Sequence, residues 1–122
     1  MSKQTLIIKD KFYLESGDAL ENFPLVFHTF GTLNDKRDNI IWVCHALTAN
    51  SNLEEWWHGL FGKDKLFNTD EYFIICLNNL GSPYGTISPI TPDVESGQVQ
   101  DTIFRFLPSE IPRDFTSYCL TN

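Results

Sequence analysis

The sequence predicts an α/β fold in which an antiparallel strand pair is followed by parallel strands joined through a short crossover helix. Ile40-Ile41-Trp42-Val43 and Tyr72-Phe73-Ile74-Ile75-Cys76-Leu77 are apolar throughout. Such runs mark strands covered on both faces, as in a parallel sheet flanked by helices. Between them, Leu53, Trp56, Trp57, Leu60 and Phe61 recur at helical spacing and give one apolar face. Each strand then runs into shaped backbone, first Cys44 to Asn50 and then Asn78 to Thr86, the latter rich in glycine and proline.

Taken in order, Phe12-Tyr13-Leu14-Glu15 and Pro24-Leu25-Val26-Phe27-His28-Thr29-Phe30 are rich in aromatic and β-branched residues. The turn-forming Ser16-Gly17-Asp18 lies between them, so they read as an antiparallel pair. Residues 31–39 form a polar connection to the strand Ile40 to Cys44. Ser51-Asn52-Leu53-Glu54 fits a capping box, with the serine accepting from an open N–H and the glutamate reaching back, so a helix is expected to start there. Gly62 is placed to end it. The order of elements implies a right-handed crossover into the strand at Tyr72. Beyond Ser88 the pattern weakens: Thr91 to Gln100 reads as loop, Thr102 to Leu107 as a strand, and Arg113 to Leu120 as the start of a helix.

A chain of 122 residues is long enough for one hydrophobic core. With 42% hydrophobic residues and ten Phe it has the large side chains that a disordered segment lacks. The formal charge of −7 and the absence of any basic run argue against binding along a nucleic-acid backbone. Cys44, Cys76 and Cys119 are odd in number and widely spaced, which offers neither a disulfide framework nor a C-x-x-C motif. Reduced thiols in the cytoplasm are the simplest expectation. No apolar run approaches a signal peptide or a membrane span. Three scattered histidines give no metal-ligand spacing.

In open α/β sheets ligands bind beyond the carboxyl ends of the strands. The two loops there mark a candidate site rim, on which His45, Thr48, Gly81, Tyr84 and Gly85 lie. His45 follows Cys44 directly, and neighbouring strand residues point to opposite faces, so a Cys-His dyad is not expected. His45 reads instead as a loop brace. His28 reads as a satisfied histidine within its strand and His58 as a solvated one, while Ser82 and Ser88 read as loop hydrogen bonders. The Trp56-Trp57 pair could line a substrate or coenzyme entrance, but at helical spacing with Leu53 and Leu60 it reads first as core.

Several blocks carry a family resemblance. They are Phe12 to Gly17 with Leu14-Glu15-Ser16-Gly17, then Thr29-Phe30-Gly31-Thr32-Leu33-Asn34, Asp38-Asn39, Cys44-His45-Ala46-Leu47-Thr48, Trp56-Trp57 with Gly59 and Gly62, and Tyr72 to Gly85. Over about residues 12 to 90 the sequence resembles the N-terminal part of homoserine O-acetyltransferases. The resemblance implies the N-terminal half of an α/β-hydrolase fold. It divides the single, incomplete domain 1–122 into a family-like part, 1–90, and a divergent tail, 91–122. It implies acetyl transfer from acetyl-CoA, a co-substrate, to L-homoserine through an acyl-serine, in methionine biosynthesis, and leaves a homodimer open. By the same resemblance the backbone N–H of Leu47 is an oxyanion-hole donor.

The sequence also departs from the family pattern. Ala49 stands where the family usually has glycine, a strained choice if that position needs positive φ. The tail only faintly echoes the family in Ser96-Gly97, Leu107-Pro108 and Arg113-Asp114. No G-x-S-x-G nucleophile elbow occurs in these 122 residues, and the triad is expected beyond Asn122. The chain alone is therefore expected to be inactive. Two alternatives stay open: a non-catalytic fragment that binds a partner through an open sheet edge, and a remnant of a related serine or homoserine acyltransferase.

Overall fold

The structure, a computed structural model, describes residues 1–15, 17–88, 90–92 and 97. Their elements are β1 (Ser2–Ile8), β2 (Phe12–Tyr13), β3 (Ala19–Leu20), β4 (Phe23–Phe30), β5 (Ile40–Val43), α1 (Leu53–Trp57) continuing into a 3-10 turn (His58–Leu60), and β6 (Phe73–Leu77). The strand and helix expected over 102–107 and 113–120, and most of the loop expected over 91–100, lie outside the described residues. Among the described residues no helix is long and apolar enough to cross a membrane.

Four strands form one sheet in the order β1-β4-β6-β5. The parallel pair is β5 with β6, with Ile41 opposite Ile74 and Val43 opposite Cys76. Helix α1 lies in the connection between them, as the two apolar runs require. β4 runs antiparallel to β6 with His28 opposite Cys76. β1 is a strand that the opening residues did not announce.

The expected pairing of Phe12–Glu15 with Pro24–Phe30 is corrected. β2 pairs with β3, Phe12 opposite Leu20, in a separate two-stranded ribbon. The cause is a tight reversal. Leu14 N–H donates to Asp18 O at 2.8 Å and Gly17 N–H to Leu14 O at 3.0 Å, with Gly17 at φ 92°. The chain has turned back by residue 19, and β4 is left free to join the larger sheet.

Met1–Leu6 and Leu25–Asn78 make up one compact unit; Ile7–Pro24 and the described residues from Asn79 belong to a second. The core of the first unit is Phe30, Leu53, Phe67, Ile74 and Cys76, with Ile41, Val43 and Phe61 packed against it. The Phe61 ring lies 5.0 Å from both Phe30 and Phe67. In the second unit Phe12 meets Phe23 edge-on, and Ile8, Leu14 and Leu20 are buried.

Two expectations about the helix fail. Of its residues only Leu53 is buried, while Trp56, Trp57 and the following Leu60 are exposed, so the tryptophan pair is not core. The helix tightens after Trp57 into the 3-10 turn, and three residues per turn cannot hold a stripe spaced for 3.6. The capping box does not form either. Asn52 is the N-cap and makes no side-chain capping bond, and the Ser51 hydroxyl lies against His28 instead of a helix N–H.

The connection into β5 is pinned by one side chain. Asn39 Nδ2 donates to Thr32 O at 2.9 Å and Glu71 O at 3.0 Å, and its carbonyl oxygen accepts from Asn34 N–H at 3.0 Å. Phe73 N–H donates to Asn39 O at 2.8 Å, which starts β6 beside β5.

Candidate functional site

β5 ends at Val43, and the loop beyond it closes a β-turn: Ala49 N–H donates to Ala46 O at 2.9 Å. None of Ala46, Leu47, Thr48 and Ala49 has positive φ, which excludes type II and the primed turns. Ala49 therefore sits without strain where the family usually places glycine, and it is buried. The Leu47 side chain is 82% exposed. The N–H groups of Leu47 and Thr48, the two central residues, make no hydrogen bond among the described residues. Two adjacent donors are thus left open at the carboxyl end of a parallel strand.

His45 is buried, and its Nδ1 donates to Ala46 O at 2.7 Å. That bond ties one ring nitrogen to the loop's own backbone. The His45 backbone N–H meets the sulfur of Cys76 on β6. Burial, then the neighbouring Cys44, pushes the Cys76 thiol up to about 12, against the pull of that N–H. Cys44 itself is exposed.

The far end of the loop is held at Ser51, which is fully buried. Its Oγ lies 2.7 Å from His28 Nδ1, and its N–H donates to Asn78 Oδ1 at 2.7 Å. Asn78 N–H in turn donates to Val26 O at 2.9 Å. His28 is therefore satisfied in the interior. Burial, followed by the charge of Lys3, lowers its pKa below the usual histidine value and favours the neutral ring.

Gly81, Tyr84 and Gly85 belong to the second unit. Gly81 N–H donates to Ile87 O at 2.8 Å and Ile87 N–H to Pro24 O at 3.0 Å. Gly81 and Gly85 have φ of 88° and 106°, a region that other L-residues enter only with strain. Tyr84 is exposed while Thr86 and Ser88 are buried. Ser88 Oγ is 3.0 Å from Thr91 Oγ1, as expected of a loop hydrogen bonder. Ser82 departs from that expectation: its hydroxyl is buried with no partner among the described residues.

Of the rim residues, the structure brings His45 and Thr48 into one loop with Leu47, and Gly81, Tyr84 and Gly85 into another. Among the described residues no group of three or more His, Cys, Asp or Glu side chains could hold a metal. Sequence reasoning missed Ser51 and Asn78 as organisers of the first loop. The available signal was an asparagine directly after an apolar strand, a position where an amide is buried and must find partners.

No protein-family model matches the chain. Individual proteins do. Homoserine O-acetyltransferase of Saccharomyces cerevisiae is 45% identical over 94 residues, 77% of this chain and 19% of that protein. Homoserine O-acetyltransferase of Cyclobacterium marinum is 44% identical over 98 residues, 80% of this chain and 28% of that protein. Over this stretch the chain belongs to the homoserine O-acetyltransferase family. The crystal structure of homoserine O-acetyltransferase from Bacillus anthracis superposes with a TM-score of 0.65 at 30% identity, over 80% of this chain and 30% of that one. Esterase E22 superposes at 0.67 with 21% identity, which speaks to the fold alone. The sheet β1-β4-β6-β5 is thus part of an α/β-hydrolase fold. The chain spans between about a fifth and three tenths of the length of these homoserine O-acetyltransferases.

Proposed function

We propose that this chain is the part of a homoserine O-acetyltransferase that supplies one arm of the oxyanion hole. The observation that carries the reading is the turn Ala46 to Ala49, with the N–H groups of Leu47 and Thr48 unbonded at the end of β5. In the intact enzyme acetyl-CoA gives its acetyl group to a serine, and L-homoserine then takes it through its hydroxyl, a step of methionine biosynthesis. Each half passes through a tetrahedral intermediate whose negative oxygen needs preorganised donors. Leu47 N–H is the donor we assign. The second donor is the residue after the nucleophile, and no G-x-S-x-G elbow occurs in these 122 residues. Alone, the chain therefore lacks both the attacking oxygen and a complete hole, and we read it as inactive. The free thiols Cys44 and Cys76 suit a reducing cytoplasm.

The turn itself allows a clean test. Leu47 is the first central residue of a turn without positive φ, a position that accepts proline, and Leu47→Pro removes the N–H while keeping the turn. A chimera carries residues 1–92 of this chain in place of the matching segment of the Saccharomyces cerevisiae enzyme. It is expected to acetylate homoserine, with kcat falling by roughly 100-fold or more in Leu47→Pro. Leu47→Ala, which trims only an exposed side chain, is expected to stay within about twofold. Full activity of the proline variant overturns the assignment. Dose-dependent turnover by the purified 122-residue chain overturns the inactivity.

A further inference from the structure

We infer that Ser51 is a positioning residue for the Leu47 turn, acting as a clamp that ties the end of the loop to β4 and to the exit of β6 at once. The inference rests on the acyl-transfer reading of that turn.

Strand alternation explains why the clamp converges. Cys76 and Asn78 are two residues apart along β6 and its exit, so they share a face. His28 lies opposite Cys76 in the antiparallel register, which puts His28 on the same face. Leu53 packs in the core cluster with Cys76, so the chain passes over that face just after Ser51. One imidazole from β4 and one amide from the exit of β6 therefore reach Ser51 together, through its Oγ and its N–H, both at 2.7 Å. Ser51 is 0% exposed and Asn78 1%. No water competes with bonds so enclosed, and their geometry is held tightly.

The loop is consequently fixed at both ends. Val43 is held in the ladder with β6, and Ser51 is held to β4 and Asn78. Between these anchors residues 44–50 have few internal bonds: His45 to Ala46, and Ala49 to Ala46. The direction of the open Leu47 N–H is set by these two anchors together with the His45 N–H held on the Cys76 sulfur. That also accounts for the unformed capping box, because a serine engaged with His28 cannot cap a helix.

The test uses amide hydrogen exchange in the isotopically labelled chain. Ala49 N–H reports the turn, and Ile75 N–H, in the middle of β6, reports the sheet. Ser51→Ala, which removes the hydroxyl arm and keeps the N–H arm to Asn78, is expected to speed exchange at Ala49 by about tenfold or more while Ile75 changes less than about twofold. An unchanged Ala49 overturns the clamp, and so does an equal acceleration at both amides, which is global destabilisation. If Ser51→Ala fails to fold, the double variant Ser51→Ala/His28→Phe leaves neither partner polar and avoids an orphaned buried group. It must show the same selective loosening, and slow exchange at Ala49 there overturns the proposal.

In the chimera, Ser51→Ala is expected to lower kcat by about tenfold with the KM for homoserine within about twofold, since positioning a donor acts in the transition state. An unmoved kcat, where Leu47→Pro lowers it by roughly 100-fold or more, overturns the positioning role. An unmoved kcat in both variants overturns the acyl-transfer reading instead, and the exchange result then stands as a loop clamp without a catalytic role.

Discussion

Gly31 shows how tightly one residue is constrained here. It ends β4 with φ 78°, and a Cβ built on it runs into the carbonyl oxygen of Tyr72 and lies 2.8 Å from that of Thr69. Backbone oxygens held in a turn cannot swing away as a flexible side chain would. Gly31→Ala combines a left-handed backbone with a clash and is expected to cost about 3 kcal/mol. Gly17 provides the contrast. Its φ is 92°, yet nothing lies within 4 Å of the added carbon, so Gly17→Ala is expected to cost only about 1 kcal/mol. Urea midpoints at unchanged m-value separate the two. Equal losses would show that the carbonyl contact at Gly31 is relieved by movement. Gly31 stood out in the sequence only through the Thr29-to-Asn34 block. Its physical reason was hidden because Thr69 and Tyr72 are distant in the chain.

Among the elements, β5 and β6 were legible and the helix start was not, for a common reason. An apolar run marks a strand, but only β6, buried at four of its five positions, is covered as such a run implies, whereas β5, at the edge of the described sheet, is partly exposed throughout. A capping box is a local pattern, and it fails when a tertiary partner competes. The Ser51 hydroxyl prefers His28, 23 residues earlier in the chain, and no spacing rule reaches that far. The pairing of β2 with β3 was missed for a related reason: the turn was placed correctly, but its tightness decides which residues face each other. The tryptophans were misread because the helix is short, with Leu53–Trp57 its whole extent. Glu54 is exposed and caps nothing, so Glu54→Ala is expected to shift stability by less than about 0.5 kcal/mol. A working box would lose about 1 kcal/mol. Thermal unfolding of the two chains decides between these values.

For the whole molecule, the buried cysteine offers a reading of how the first unit opens. Cys76 is 0% exposed, within the cluster of Phe30, Leu53, Phe67 and Ile74. The thiolate is the form that reacts, and burial pushes this thiol from 9.0 up to about 12, so it is both hidden and protonated. Cys44 is exposed. At pH 8 iodoacetamide is expected to label Cys44 in the native chain and Cys76 only through opening of the core, with peptide mapping to tell them apart. Comparable rates at both sites would show that the cluster does not stay closed. The same shift sets a pH dependence. A folded-state pKa above the unfolded one means that the folded chain holds the proton longer. Its contribution to stability is therefore full below about pH 9 and is lost as pH rises toward the folded value of about 12. The urea midpoint is expected to fall between pH 8 and pH 10, and Cys76→Ala should flatten that slope even though it lowers stability by emptying part of the core. A slope that persists in Cys76→Ala would assign the alkaline loss to another group.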